Sequence, residues 1–368
     1  MPNEVHYSDY LQLDKILNAQ HPVSDSQGQP AHDEMLFIVI HQAYELWFKQ
    51  LLQETESVIG FMQMPALDDN SPELQTIVHR LGRCSTILKV LVHQIDIMET
   101  MNPMDFLDFR DLLRPASGFQ SWQFKMLEAR LGLKYEHRYG QQYYVSQLRQ
   151  PEIDRIKAAE KDSSLLELVN GWLERMPFFD EAINWQHFVR TGPDPFWSEY
   201  RIRYQQSLAD REKANLDLFD HTFYPPPVAS GAAQHDTTFS TNSAGPGTAS
   251  HPLPPRSLSP SACRSALFIM LYRGYPILQL PFQVLHQLLE IDEQLSTWRY
   301  RHMSMVHRTI GTRIGTGGST GQHYLKSALD SHHLFKEIAG LTSFLIERRR
   351  LPALSPEMER RLGFRAEL

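Results

Sequence analysis

Cysteine is nearly absent from this sequence. Cys84 and Cys263 are the only two in 368 residues. That excludes a disulfide scaffold and a cysteine-rich metal centre, and it fits a reducing cytoplasm. Long apolar runs are absent too. None approaches the roughly 20 residues that a membrane-spanning helix needs. The opening stretch MPNEVHYSDY has neither the basic nor the apolar segment of a secretion signal. Positive charge is in deficit: 36 Lys and Arg stand against 43 Asp and Glu, a formal charge of -7. No general attraction to nucleic acid is expected. No strand alternation of useful length and no internal repeat is found. The motifs HExxH, paired ExxH, GxSxG and GxxxxGK[ST] are missing. They would have marked a zinc protease, a di-iron bundle, a hydrolase elbow or a phosphate loop.

What is present is helical periodicity. Apolar residues make up 42% and charged residues 21%, an ordinary globular mix in a chain long enough for one large domain or two. Residues 11–19 read as a short helix and QHPVSDSQGQP as a turn-rich loop. A long helix is predicted over 32–61, with Asp33 and Glu34 where the macrodipole favours acids. A second is predicted over 72–101, and shorter ones from 104 to before Pro115 and over 122–131. Residues 134–204 read as shorter, more polar helices. Helix resumes over 204–219. The stretch 224–260 is rich in Pro, Ser, Gly and Thr, a composition that cannot bury enough apolar surface to order itself. Helices follow over 261–271 and 282–310, then the glycine-rich GTRIGTGGSTG, then helix from about residue 323. The fold class is all-α. The expected division is an N-terminal arm (1–31), a helical domain in three parts (32–133, 205–223 and 261–368), a small helical excursion (134–204) and a disordered linker (224–260).

Three stretches carry candidate chemistry. In LFIVIHQAYELWFKQLL, the residues Phe37, His41, Tyr44 and Phe48 fall on one helical face. A titratable ring in the middle of an aromatic face is either a satisfied core histidine or part of a pocket wall. In DFLDFRDLLRPASGFQS, Phe106, Arg110, Leu113 and Ser117 share a face if the helix continues that far. An arginine on an apolar stripe needs a neutralising partner. That partner is either an internal carboxylate or an anionic ligand gripped by the guanidinium. In STWRYRHMSMVHRTIGTRIGTGGSTG, the residues Leu295, Trp298, His302, Met305 or Val306, and Thr309 share a stripe, and His307 points elsewhere. One inward histidine on a long helix suits single-point ligation of a haem iron. A satisfied core histidine is the plainer alternative. The glycines that follow would let backbone and the hydroxyls of Thr316 and Ser319 approach a ligand closely.

Taken in order, HDEMLFIVIHQAYELWFKQLL, DFRDLLRPASGFQS, WRYRHMSMVHRTIG and GTGGSTG closely resemble the tryptophan 2,3-dioxygenase family. YSDYLQLDKIL near the start matches as well. The resemblance runs from about Tyr7 to the last helices and is weakest over 134–204 and 224–260. Thr320 stands where the family pattern has serine, a change that keeps a hydroxyl.

The resemblance implies a homotetrameric, all-helical enzyme of the cytoplasm that binds haem b, with ferrous iron on one axial histidine. It implies insertion of both atoms of O2 across the C2–C3 bond of L-tryptophan, giving N-formylkynurenine, with neither membrane nor nucleic acid as a partner. By motif, His302 resembles the axial ligand and His41 the catalytic distal histidine that meets the indole N–H. Arg110 resembles the carboxylate clamp and Thr316 the group that meets ammonium and carboxylate. Phe37, Phe106, Leu113 and Ser117 resemble the pocket wall. Trp298, Gly315 and Gly317 fall among the cofactor-side residues. Tyr7, Tyr10 and Leu11 resemble an arm that completes a neighbouring subunit's pocket. The loop glycines would let that segment close over substrate. Competing readings are a haem sensor or carrier without turnover, a dioxygenase for another indoleamine, and a helical scaffold without cofactor.

Overall fold

The computed structural model describes residues 4–135, 138, 146–175, 195–224, 257–313 and 332–363. Most of the Pro/Ser/Gly-rich stretch, the glycine run from residue 314 onward and the helix expected from 323 lie outside the described residues. The helices are α1 Tyr7–Leu11, α2 Leu13–Leu17, α3 Val23–Ser26, α4 His32–Met62, α5 Pro72–Met98, α6 Pro103–Arg110, α7 Trp122–Leu131, α8 Gln150–Ala159 and α9 Leu165–Glu174. They continue as α10 Pro195–Ser207, α11 Asn215–Phe223, α12 Pro260–Leu271, α13 Gln279–Ile310, α14 Lys336–Gly340 and α15 Pro356–Leu362. Among the described residues there is no strand, and the all-α reading stands. None of the described helices is long and apolar enough to cross a membrane.

The chain separates into two compact units. One comprises residues 1–169 and 277–336, the other 170–276 and 337–368. The first is built on three long helices: α5 packs along both α4 and α13, α7 lies against α4, and α6 touches α4 and α13. The sequence explains α5 well. Ser71 caps it by accepting from the Leu74 N–H at 3.2 Å, and Pro72 occupies the first turn, where a missing N–H costs nothing. Leu74, Ile77, Leu81, Leu88, Leu91, Ile95 and Met98 are then buried at spacings of three, four or seven. Each such side chain contributes about 1.5–3 kcal/mol by leaving water. Helix α13 follows the same rule through Val284, Leu285, Leu288, Ile291 and Leu295, and ends at Gly311 with φ 59°.

The second unit has an aromatic core. Phe196, Trp197, Tyr200 and Tyr204 of α10 meet Phe219 and Phe223 of α11, Phe268 of α12 and Phe344. The Tyr200 hydroxyl donates to the Phe344 carbonyl at 2.7 Å.

Several boundaries differ from the sequence reading, each for a local reason. Residues 11–19 do not form one helix, because Gln12 turns into the left-handed region at φ 52° and separates α1 from α2. Helix α5 stops at Met98, not 101. The helix expected over 204–219 is two, α10 and α11, with a 3₁₀ turn Asp210–Glu212 between them. The stripe through Phe106, Arg110 and Leu113 does not reach Ser117. Helix α6 ends at Arg110 and tightens to a 3₁₀ turn over Asp111–Leu113. Pro115 then holds Arg114 extended, at ψ 134°. Ser117 caps a separate 3₁₀ turn, Gly118–Gln120, by accepting from the Phe119 N–H at 3.3 Å.

Candidate active site

The site forms in the first unit, where α4, α6 and α13 converge. Phe37 is its organising side chain. Its ring lies 4.1 Å from the His41 imidazole, and 5.7 Å from both Phe106 and Phe109. Leu113 of the turn after α6 and Met305 and Ile310 of α13 pack on the same cluster. Phe37, His41, Phe106 and Leu113, grouped by sequence, are therefore brought together. Arg110, one turn beyond Phe106, is 5% exposed. A guanidinium that deep belongs to a charge- or hydrogen-bond-rich setting.

His41 has a defined tautomer. Its Nδ1 lies 2.7 Å from the Phe37 carbonyl oxygen. A carbonyl only accepts, so Nδ1 carries the proton and Nε2 presents a lone pair. Burial lowers the pKa of His41, against the opposing effects of the Phe37 carbonyl and of Glu45. Glu45 is itself held by Gln123, whose Nε2 donates to the Glu45 carboxylate at 2.7 Å. The imidazole is thus neutral near pH 7.

His302 stands on α13 at the expected inward position, while His307 is exposed. Burial and the proximity of His41 push its pKa down to about 4. The two imidazoles are close enough for the charge of one to be felt at the other. Among the described residues His302 makes no hydrogen bond; its ring lies parallel to that of Trp298, at an interplanar angle of 2° and 5.3 Å between centroids. Trp298 is enclosed by Phe124 at 5.0 Å, Tyr44 at 6.0 Å and Phe48 at 6.3 Å. The sequence stripes located Tyr44 and Phe48 but not their purpose. Phe124 and Phe109 were missed; Phe124 comes from α7 and no local spacing links it to His302.

A neutral, half-buried imidazole with no hydrogen-bond partner among the described residues is the right donor for a metal. Among the described residues no three His, Cys, Asp or Glu side chains gather around a common point. A metal bound at His302 would therefore arrive with its other donors, as iron does in haem. The residues present fit that group. Thr316, Gly315 and Gly317 lie outside the described residues. Ser117 is half-buried and engaged in capping the turn Gly118–Gln120, beyond the end of α6. Tyr7, Tyr10 and Leu11 are exposed, at 71%, 74% and 36%, and lie on the arm.

An open groove of about 680 Å³ lined by Leu46, Trp47, Gln50, Arg83 and Ile87 lies on another side of α4 and contains none of these residues. A buried charge cluster is also separate. The Glu128 carboxylate receives Arg138 at 2.6 Å and Arg299 at 2.7 Å, and Arg299 also donates to the His332 carbonyl at 3.0 Å.

The arrangement defines an all-helical site, with one imidazole on each of two long helices, an aromatic slot and a buried guanidinium. The chain belongs to the tryptophan 2,3-dioxygenase family, whose family model matches residues 2–345. It is 42% identical to tryptophan 2,3-dioxygenase of Alteromonas mediterranea, over 98% of this chain and 97% of that one. It is 40% identical to the Bdellovibrio bacteriovorus enzyme of the same name, over 98% of each chain. The match to tryptophan 2,3-dioxygenase B of Danio rerio is 39% over 96% of this chain and 85% of that one.

Proposed function

We propose that this protein is a haem-dependent dioxygenase that converts L-tryptophan and O2 to N-formylkynurenine, the first step of tryptophan catabolism. The observation that carries the reading is the convergence of two histidines from separate long helices, His41 against the Phe37–Phe106 slot and His302 stacked on Trp298. Haem, when bound, would supply the iron that activates O2. His302 is the residue that would hold the iron.

The remaining groups handle the substrate. Tryptophan is a zwitterion with an apolar ring, so its site needs an apolar slot with a few placed polar groups. Phe37, Phe106 and Leu113 provide the slot. Arg110 is the partner for the carboxylate, a contact favoured by its bidentate geometry. His41 accepts the indole N–H at Nε2 and so aims the C2–C3 edge. Its neutral form accepts without requiring a charge in the pocket. By motif, Thr316 meets the ammonium and carboxylate, with Gly315 and Gly317 beside it.

The same reading makes the enzyme a cytoplasmic homotetramer. Its two cysteines are buried and neither is in a disulfide, which fits a reducing compartment. Apolar surface supports assembly: Met35, Val39, Leu46 and Trp47 are exposed along α4, and Tyr7 and Tyr10 along the arm. The test is an absorption spectrum of the haem-loaded, reduced protein as L-tryptophan and then air are added. A histidine-ligated haem spectrum followed by growth of the N-formylkynurenine band is expected. A haem spectrum without product would favour a sensor or carrier, and absence of haem uptake would overturn the site.

A further inference from the structure

We propose that Trp298 is the positioning residue of His302, setting the rotation of its imidazole by stacking. This rests on the reading of His302 as the iron ligand. A ligating histidine ordinarily donates its second ring nitrogen to a carboxylate, carbonyl or water, which fixes the plane of the ring. Among the described residues no carboxylate or carbonyl takes that role for His302. The contact that defines its plane is the parallel Trp298 indole, four residues back on α13.

Trp298 can serve this purpose because aromatic rings pack against it from other helices. Phe124 of α7 meets it at 44°, Tyr44 of α4 at 65°, and Phe48 of α4 edge-on at 90°. Rings arranged at such angles match the quadrupole preference of aromatic pairs. Tyr44 is itself fixed, since its hydroxyl donates to the Leu91 carbonyl of α5 at 2.9 Å. Burial raises its pKa to about 12, so the donor proton is retained. The indole is therefore clamped by side chains from two other helices, one of them tied to a third. Tyr44 is three residues from His41. The helix that carries the substrate-side histidine thus also sets the plane of the iron-side one.

The test uses the haem-loaded, full-length protein with Trp298→Phe and Trp298→Leu. Three quantities are read: the iron–histidine stretching band of the ferrous form, the rate of haem transfer to an apoprotein acceptor, and kcat and KM for tryptophan. Trp298→Leu should shift or broaden the band and speed haem transfer roughly 10- to 100-fold, the cost typical of losing a ligand's orienting partner. It should lower kcat while KM stays within about twofold, because the substrate contacts are untouched. Trp298→Phe keeps a ring and should restore most of the band position. A parental band and transfer rate in Trp298→Leu would overturn the proposal. If that variant does not fold, Tyr44→Phe decides: loss of the Leu91 bond should shift the same band, and an unchanged band overturns the proposal. His302→Ala separates the two ideas. Haem retained with the parental spectrum in that variant would overturn the ligand reading itself.

Discussion

The Nδ1 of His41 donates to the carbonyl oxygen of Phe37, one helical turn earlier, at 2.7 Å. A single short bond thus decides which imidazole nitrogen faces the slot, and Phe37 both fixes His41 and forms the wall beside it. If Nε2 accepts the indole N–H, His41→Ala should retain haem and lower kcat/KM for tryptophan by at least about 10²-fold, the usual scale for a positioned proton acceptor. N1-methyltryptophan has no N–H to donate, so the gap between parent and variant should close with that substrate. An equal gap with both substrates would show that His41 acts in some other way, and loss of haem would reverse the assignment of the two histidines.

His302 should behave in the opposite manner. His302→Ala is expected to lose haem or its normal spectrum, and added imidazole should restore part of both by taking the place of the missing ring. The absorption spectrum of the variant, with and without imidazole, checks this directly.

Arg110 tests substrate class. Replacing it by Leu should lower kcat/KM for tryptophan by roughly 10²- to 10³-fold, as when one member of a buried charge pair is removed. Arg110→Lys keeps the charge but not the fork, and should recover only part. Tryptamine, which lacks the carboxylate, should be used poorly by the parent and no worse by Arg110→Leu. A similar fall for both substrates would assign Arg110 to the fold instead of to the ligand. Melting temperatures of the variants separate the two cases.

The Glu128 cluster predicts an acid limit. Burial raises the Glu128 carboxyl, but Arg138, Arg299 and His332 outweigh it and hold its pKa at about 2, below the ordinary 4.5. A depressed carboxylate stabilises the fold above about 4.5, and that stability is lost as pH falls toward 2. His332 works at higher pH. Burial is the main cause of its pKa of about 4, against an ordinary 6.5, so the unfolded chain takes up the proton first and stability falls between 6.5 and 4. Glu128→Gln leaves two buried guanidinium groups uncompensated and should cost roughly 3–5 kcal/mol at neutral pH. Urea midpoints measured from pH 7 to 3 should show the parent and variant converging below about pH 4.5. Parallel curves would mean that Glu128 is not ionised in the fold.

Much of the site was legible because it is local. His41 and Phe37 are four residues apart, as are Trp298 and His302, and helical periodicity alone puts each pair on one face. Arg110 was legible for the same reason, four residues after Phe106. Ser117 joins that stripe only if the helix continues that far, and Pro115 ends the possibility two residues earlier. The break at Gln12 left no comparable mark, since glutamine is not a residue that advertises a left-handed turn. Phe124 and Glu128 were invisible for a different reason. Both come from α7 and act on α13, about 170 residues away along the chain. Only packing shows that Phe124 closes the Trp298 cage and that Glu128 neutralises Arg299.

The N-terminal arm gives the last prediction. Its root is fixed to α4: Gln42 donates to the Ala19 carbonyl at 3.0 Å, and the buried Glu34 carboxylate accepts from the Val23 and Ser24 N–H groups at 2.8 and 2.9 Å. Beyond that anchor Tyr7 and Tyr10 project with most of their surface exposed. Two large rings held in water on a tethered segment gain roughly 1.5–3 kcal/mol each if another surface covers them. If that surface is a second copy's pocket rim, Tyr7→Ser with Tyr10→Ser should leave haem content unchanged and raise KM for tryptophan. Co-assembly supplies the sharper result. A chain with the altered arm, mixed during refolding with a His302→Ala chain whose arm is intact, should regain activity, because the intact arm then serves the intact site. Recovery absent from mixed oligomers, with normal assembly by sedimentation, would mean that the arm serves its own chain or none.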